Sequence, residues 1–191
     1  MTDRVERTET PVGSGADRRD IVLTAALEIF VRYGYRKTSM EDVARAARIS
    51  RPGLYFLFES KQKLFADAMT AAIERDLSSA ARALEDEACP LRERLLDAFD
   101  AWTGRYVGTV GGELSAIAET HRDVLDVAVL EAPHRFQVLI VDTVVSARAP
   151  QDRATSEAIA RTLISTAIGL KHQKSSRETF REELSTAISL L

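Results

Sequence analysis

Three features of this 191-residue chain predict an all-α fold. Apolar residues recur at three- and four-residue steps along most of its length, the spacing that lays one stripe along a helix. Ser, Thr or Pro stands where such stripes begin and Gly or Pro where they end, as caps and breakers do. Strand-like alternation of apolar and polar residues is nowhere sustained, and no internal repeat is present. With 45% hydrophobic and 29% charged residues, the composition is that of an ordinary globular chain.

Residues 1–16 include Pro11, Gly13, Ser14 and Gly15, lack apolar periodicity and are expected to form a flexible arm. From Asp17 onward, Val22, Ala25, Ala26, Ile29, Phe30 and Tyr33 mark a first helix, which Gly34 closes. Thr38 and Glu41 fit the capping box of a short second helix with Met40, Val43, Ala44 and Ala47 inward. Ser50 is a natural N-cap for a short third helix carrying Leu54, Tyr55 and Phe58. Ser60 caps a long fourth through Leu64, Phe65, Ala68, Met69, Ala72, Ile73 and Leu77. Pro90, at a helix N1 position, opens a fifth in which Leu91, Leu95, Phe99, Trp102 and Tyr106 keep step. Gly111-Gly112 breaks the chain, and helix is expected over 113–120 and on through 121–130. Pro133 then restarts a helix that Pro150 closes, and two more span 152–172 and 176–190.

Charge divides the chain unevenly. Residues 17–65 hold ten Lys/Arg against six Asp/Glu, a net of +4, whereas residues 66–191 hold fourteen against twenty, a net of −6. A basic head on an acidic body suits a protein whose first part meets a polyanion while the rest is repelled by it. The longest aliphatic runs, Val127 to Leu130 and Val138 to Val141, are far too short to cross a bilayer. The N-terminus has acids among its bases and no apolar segment after them, so a cytoplasmic protein without membrane association is expected. The single Cys89 excludes an internal disulfide and a multi-thiolate zinc site. His121, His134 and His172 lack metal-ligand spacing, so neither metal nor cofactor is expected. No Gly-rich phosphate loop, nucleophile elbow or paired-carboxylate signature occurs, and no catalytic residue is assigned.

Two short helices joined by Ala47-Arg48-Ile49, with alanines where they cross and an N-capped second member, describe a helix-turn-helix. Arg51 stands in the first turn of the third helix, and Lys61 and Lys63 in the first turn of the fourth. Cations there oppose the helix dipole at roughly 0.3–1 kcal/mol each. Bound phosphates would remove the conflict, and double-stranded DNA supplies them.

Residues 21–69 resemble the DNA-binding domain of the TetR family of bacterial regulators. The resemblance rests on Ala26, Phe30, Gly34 and Tyr35, on Thr38, Asp42, Val43 and Ala44, and on Ile49, Ser50, Leu54, Tyr55, Phe58, Ser60 and Lys61. It implies that Thr38, Tyr55 and Lys61 hold phosphates, while Arg51, Pro52, Gly53 and Phe56 face base edges; charge placement adds Lys63 to the DNA-binding set. Arg48 stands where the family usually has a turn glycine, Pro52-Gly53 replaces a commoner Gly-Thr or Gly-Ser, and Leu57 replaces a polar residue. The architecture implied is an N-terminal three-helix DNA-binding domain over 17–65, joined through a long helix to a helical effector-binding and dimerisation domain over 66–191.

The function expected is a dimeric, sequence-specific repressor on a palindromic operator, released by a small-molecule effector. Aromatic bunching on the fifth helix, with the family's habit of a largely apolar cavity, places the effector against Phe99, Trp102, Arg105, Tyr106, Ile117, His121, Phe136 and Ile140. The last two helices are expected to pair with a second subunit through Leu163, Gly169, Leu170, Phe180 and Leu184. The rival reading is a helical small-molecule-binding or adaptor protein whose basic head meets another acidic partner.

Overall fold

A computed structural model describes residues 15–108, 125–147, 153–173 and 176–190. Among them are eight α-helices: α1 (Gly15–Tyr33), α2 (Met40–Ala46), α3 (Arg51–Leu57), α4 (Lys61–Glu85), α5 (Leu91–Trp102), α6 (Val127–Ala147), α7 (Arg153–Gln173) and α8 (Arg177–Ser189). A single 3-10 turn, Gly104–Tyr106, follows α5. No described helix is long and apolar enough to cross a membrane. The expected helix over 113–120 and the Gly111-Gly112 break lie outside the described residues.

The head is built from α1 to α3 and the start of α4. Val22, Ala26 and Phe30 of α1 are fully buried against Val43, Leu54, Leu64 and Phe65, with the Phe30 and Phe65 rings edge to face at 5.3 Å. Tyr33, expected on the inner stripe, is half exposed. Gly34 ends α1 at φ +81, where its N–H donates to Phe30 O at 2.9 Å and no L-residue sits without strain. The cap of α2 is Ser39, not Thr38. Ser39 Oγ accepts from the Asp42 N–H, and the Asp42 carboxylate accepts from the Ser39 N–H, closing a box one residue along from the expected one. Ser50 and Ser60 cap α3 and α4 as expected, each through a hydroxyl accepting a backbone N–H at 3.1 Å.

The turn between α2 and α3 is a Schellman motif. Ile49 N–H donates to Ala44 O at 3.0 Å and Arg48 N–H to Arg45 O at 3.2 Å. This geometry needs a left-handed residue, and Arg48 supplies it at φ +55, the only positive-φ residue other than glycine among those described.

α4 belongs to two cores. Leu64, Phe65, Ala68 and Met69 lie in the head, and Leu77, Ala80 and Leu84 lie in the body with Leu95, Phe99, Phe136, Ile140, Leu163, Phe180 and Leu184. The change of core falls near Ala72 and Ile73, beyond the expected boundary at 65. Val129 of α6 and the Tyr106 ring pack on the head's core, so the body touches the head through more than α4 alone. Pro133 does not restart a helix. It lies on the exposed side within α6, where buried Val129, Ala132, Phe136 and Ile140 carry one stripe past it. That packing holds the helix through a local cost of about 3 kcal/mol.

Candidate nucleic-acid interface

α3 buries only Leu54 and turns Arg51, Pro52, Tyr55 and Phe56 outward, Phe56 being 89% exposed. The Arg51 guanidinium stands 5.7 Å from the Tyr55 ring centroid. Gly53 fits beneath the cap, since a Cβ there would come within 3.0 Å of Ser50 Oγ. Arg36 and Lys37 in the loop before α2 and Arg48 in the turn before α3 are exposed, and neither they nor Arg51 has a carboxylate partner among the described residues. Uncompensated cations around an exposed helix in a helix-turn-helix form an anionic-ligand surface.

Three of the expected phosphate contacts are engaged within the chain. Thr38 is buried, and its hydroxyl donates to Gly34 O at 2.9 Å, so it braces the loop after α1 rather than facing out. Lys61 Nζ donates to Tyr35 O and Thr38 O, both at 3.0 Å, and sits 4.4 Å over the Tyr35 ring. Lys63 Nζ pairs with Asp67 at 2.7 Å, and Asp67 also receives Arg19 at 2.5 Å. The dipole conflict at the start of α4 is thus relieved partly by carbonyl oxygens and an aspartate of the same chain. A tertiary carbonyl 26 residues away leaves no periodic trace, which is why charge placement alone missed it.

In the body, Trp102 stacks on Phe136 at 5.1 Å and 14°, and Phe99 meets Phe136 edge to face at 5.2 Å. Phe99, Phe136 and Ile140 are core residues here, filling the space between α5 and α6 with one another. Ile117 and His121 lie outside the described residues. Arg105 and Tyr106 converge on the buried Asp76 carboxylate of α4, one through an ion pair and the other through its hydroxyl. Burial pushes the Asp76 carboxyl above its ordinary range despite these donors, and burial followed by Asp76 raises the Tyr106 phenol. Lys171 stands 5.5 Å over the Tyr106 ring, its amine lowered by burial. Sequence reasoning missed Asp76, whose partners come from a turn 29 and 30 residues away. A separate groove of about 340 Å³ between α4 and α6 is lined by Leu77, Ala81, His134, Arg135 and Val138 among others.

Leu163, Leu170, Phe180 and Leu184, expected to face a second subunit, are buried within the single chain as part of its own core. Core and interface stripes share one period, and the sequence could not separate them. Only Gly169 stands apart, half-buried with nothing within 4 Å of where a Cβ would be. Beside it Ile168 is 51% exposed, and Ala158, Thr162 and Ser165 continue that outer face of α7.

Comparison with known proteins bears on the head and on the fold separately. Residues 22–68 match the family model described as bacterial regulatory proteins, tetR family. The chain is 32% identical over 69 residues to the HTH-type transcriptional regulator YhgD of Bacillus subtilis, covering 36% of each. It is 34% identical over 86 residues to the HTH-type transcriptional activator FasR of Mycolicibacterium smegmatis, covering 45% of this chain and 39% of that one. These alignments span well under half the length of the relatives. Solved structures extend the likeness to the whole fold. Salmonella enterica GusR has a TM-score of 0.68 at 24% identity, covering 94% of this chain and 97% of that one. A Saccharomonospora viridis transcriptional regulator in complex with choline has a TM-score of 0.70 at 18% identity, covering 91% and 96%. Residues 22–68 are thus a helix-turn-helix domain of the tetR family, and the chain as a whole shares the fold of those solved structures.

Proposed function

We propose that this protein is a sequence-specific regulator of transcription that binds double-stranded DNA as a homodimer, represses from a palindromic operator and is released by a small-molecule effector. The observation that carries this reading is the outward face of α3, offering Arg51, Pro52, Tyr55 and Phe56 in a head whose Arg36, Lys37 and Arg48 are exposed and have no carboxylate partner among the described residues. Arg51 reads a base edge, and the three unpaired cations meet backbone phosphates. Lys61 spends two of its three N–H groups on carbonyls, leaving one for a phosphate, and the exposed Tyr55 of α3 offers its hydroxyl to another.

One short helix in a groove buries too little for specific affinity, so a second head is required. The outer face of α7, through Ala158, Thr162, Ser165, Ile168 and Gly169, is the surface on which a second copy would pack. Effector release follows from the shared helix. A compound that parts Trp102 from Phe136 shifts the turn at Gly104–Tyr106, and with it Asp76 of α4 and the ring of Tyr106 against the head. Coupling of about 1–3 kcal/mol would change DNA affinity several-fold to a hundredfold. Choline in the S. viridis neighbour supports a ligand-holding body, while its identity says nothing of the compound here.

A second reading, activation, is favoured by the match to FasR, a named activator. Footprinting on the DNA flanking the coding sequence, followed by transcription with purified polymerase, tests both. Protection of an inverted repeat with reduced transcript supports repression, increased transcript supports activation, and no protection anywhere refutes the proposal. The adaptor alternative predicts no preference for one duplex over bulk DNA.

A further inference from the structure

The reading face of α3 is unusually apolar. Of its four outward side chains, Pro52 and Phe56 carry no hydrogen-bonding group, and their spacing of four places them on one stripe. Phe56, at 89%, is the most exposed large apolar side chain among the described residues. Among the described residues almost nothing covers it, whereas Phe30, Phe58, Phe65, Phe99, Phe136 and Phe180 are fully buried. The same head carries the exposed cations Arg36, Lys37, Arg48 and Arg51, which have no carboxylate partner among the described residues, and this makes a polyanion the complementary partner.

In the major groove, base pairs present donors, acceptors and one apolar feature, the C5-methyl group of thymine. A proline ring and a phenyl ring cannot satisfy the polar edges of guanine, cytosine or adenine, and covering those edges would leave them unpaired. We infer that Pro52 and Phe56 select thymine by its methyl group, next to a guanine read by Arg51, so that each half-site is recognised through apolar contact as much as through hydrogen bonds. Arg51 precedes Pro52 directly and holds its guanidinium near the Tyr55 ring, which sets the forked donor beside the apolar stripe. The inference rests on the DNA-binding reading proposed above and adds the chemistry of its specificity.

The experiment uses the full-length protein and a duplex selected from a random library. Each thymine is then replaced singly by deoxyuridine, which removes the methyl group and leaves every hydrogen-bonding edge unchanged. Deoxyuridine at one or two positions per half-site should weaken binding about fourfold for each methyl covered. Phe56→Ala should abolish the thymine–uracil difference at the position Phe56 covers and keep any that Pro52 covers, while Arg51→Ala lowers affinity and keeps both. Since Phe56 is exposed, Phe56→Ala is expected to fold, with thermal unfolding as the check. A selected site bound equally well with uracil throughout would overturn the inference and leave DNA recognition standing. Failure to select any duplex would overturn both. If instead Phe56→Ala changed the mass seen by light scattering and left the thymine–uracil difference intact, the patch would be a protein-contact surface and the inference would fall.

Discussion

Replacing Arg48 by glycine should make the protein more stable and a poorer DNA binder at once. Arg48 is held at φ +55 by the Schellman hydrogen bonds that end α2. For an L-residue, this left-handed conformation costs roughly 1–2 kcal/mol through the clash of Cβ with the following carbonyl. Glycine removes that cost but brings about 0.5–1 kcal/mol of extra backbone entropy in the unfolded chain. The net gain is roughly 0.5–1 kcal/mol, which at 2–4 °C per kcal/mol for a chain of this size is a rise in Tm of about 1–4 °C. Arg48→Ala is the control, because it loses the same charge and keeps the strain. Thermal unfolding of the two variants side by side isolates the backbone effect. Both should lose DNA affinity and flatten the salt dependence by about one unit, as expected for one phosphate contact. If Arg48→Gly proved no more stable than Arg48→Ala, the account of the turn would be wrong.

Lys61→Met removes the ammonium bonded to Tyr35 O and Thr38 O and should cost about 1–3 kcal/mol in urea denaturation, whereas Arg51→Ala, on an exposed and unpaired side chain, should stay within about 0.5 kcal/mol of the parent. Asp100 joins α5 to α8 through Arg177 at 2.6 and 2.7 Å and Arg181 at 2.7 Å. Burial pushes the Asp100 carboxyl up, but the hydrogen bonds from Arg177 and Arg181 outweigh it and hold the group below the usual carboxylate range. Its stabilisation is therefore complete above the unfolded value of about 4 and is lost as pH falls through the lower folded one. Asp100→Asn should cost about 1–3 kcal/mol at neutral pH and flatten the loss of stability below about pH 4, as read from denaturation midpoints. Ile168→Glu on the outer face of α7 should yield monomers by light scattering without lowering Tm by more than mass action requires, and a dimer that survives it would move the interface elsewhere.

The parts of this protein legible in its sequence are those governed by short-range rules. Ser50 and Ser60 announced two helix starts, Gly34 an end, and the stripe through Val22, Ala26 and Phe30 the inner face of α1. Where two local patterns overlapped, the sequence was ambiguous. Thr38-x-x-Glu41 and Ser39-x-x-Asp42 both suit a capping box, and the choice fell to Ser39 because Thr38 is drawn inward to Gly34 O. Pro133 read as a helix start because propensity alone condemns an internal proline, while the core on either side of it keeps α6 whole. Distances across the fold were not legible at all. Lys61 on Tyr35 and Thr38, Arg105 on Asp76, and the inward turn of Leu163 and Phe180 each depend on how helices meet. A stripe at helical spacing says that a face is covered, not by what.

The proposed function requires that the exposed face of α3 read DNA sequence. Fluorescence anisotropy of the full-length protein on a duplex from the DNA flanking its coding sequence, against a scrambled duplex of the same composition and at several salt concentrations, measures it directly. At least a thousandfold preference for the native duplex is expected at physiological salt, on the order of specific over non-specific binding in general. Arg51→Ala should relax that preference by about 1–3 kcal/mol. Equal affinity for the two duplexes across the flanking DNA, or a preference unchanged by Arg51→Ala and Phe56→Ala together, would contradict it.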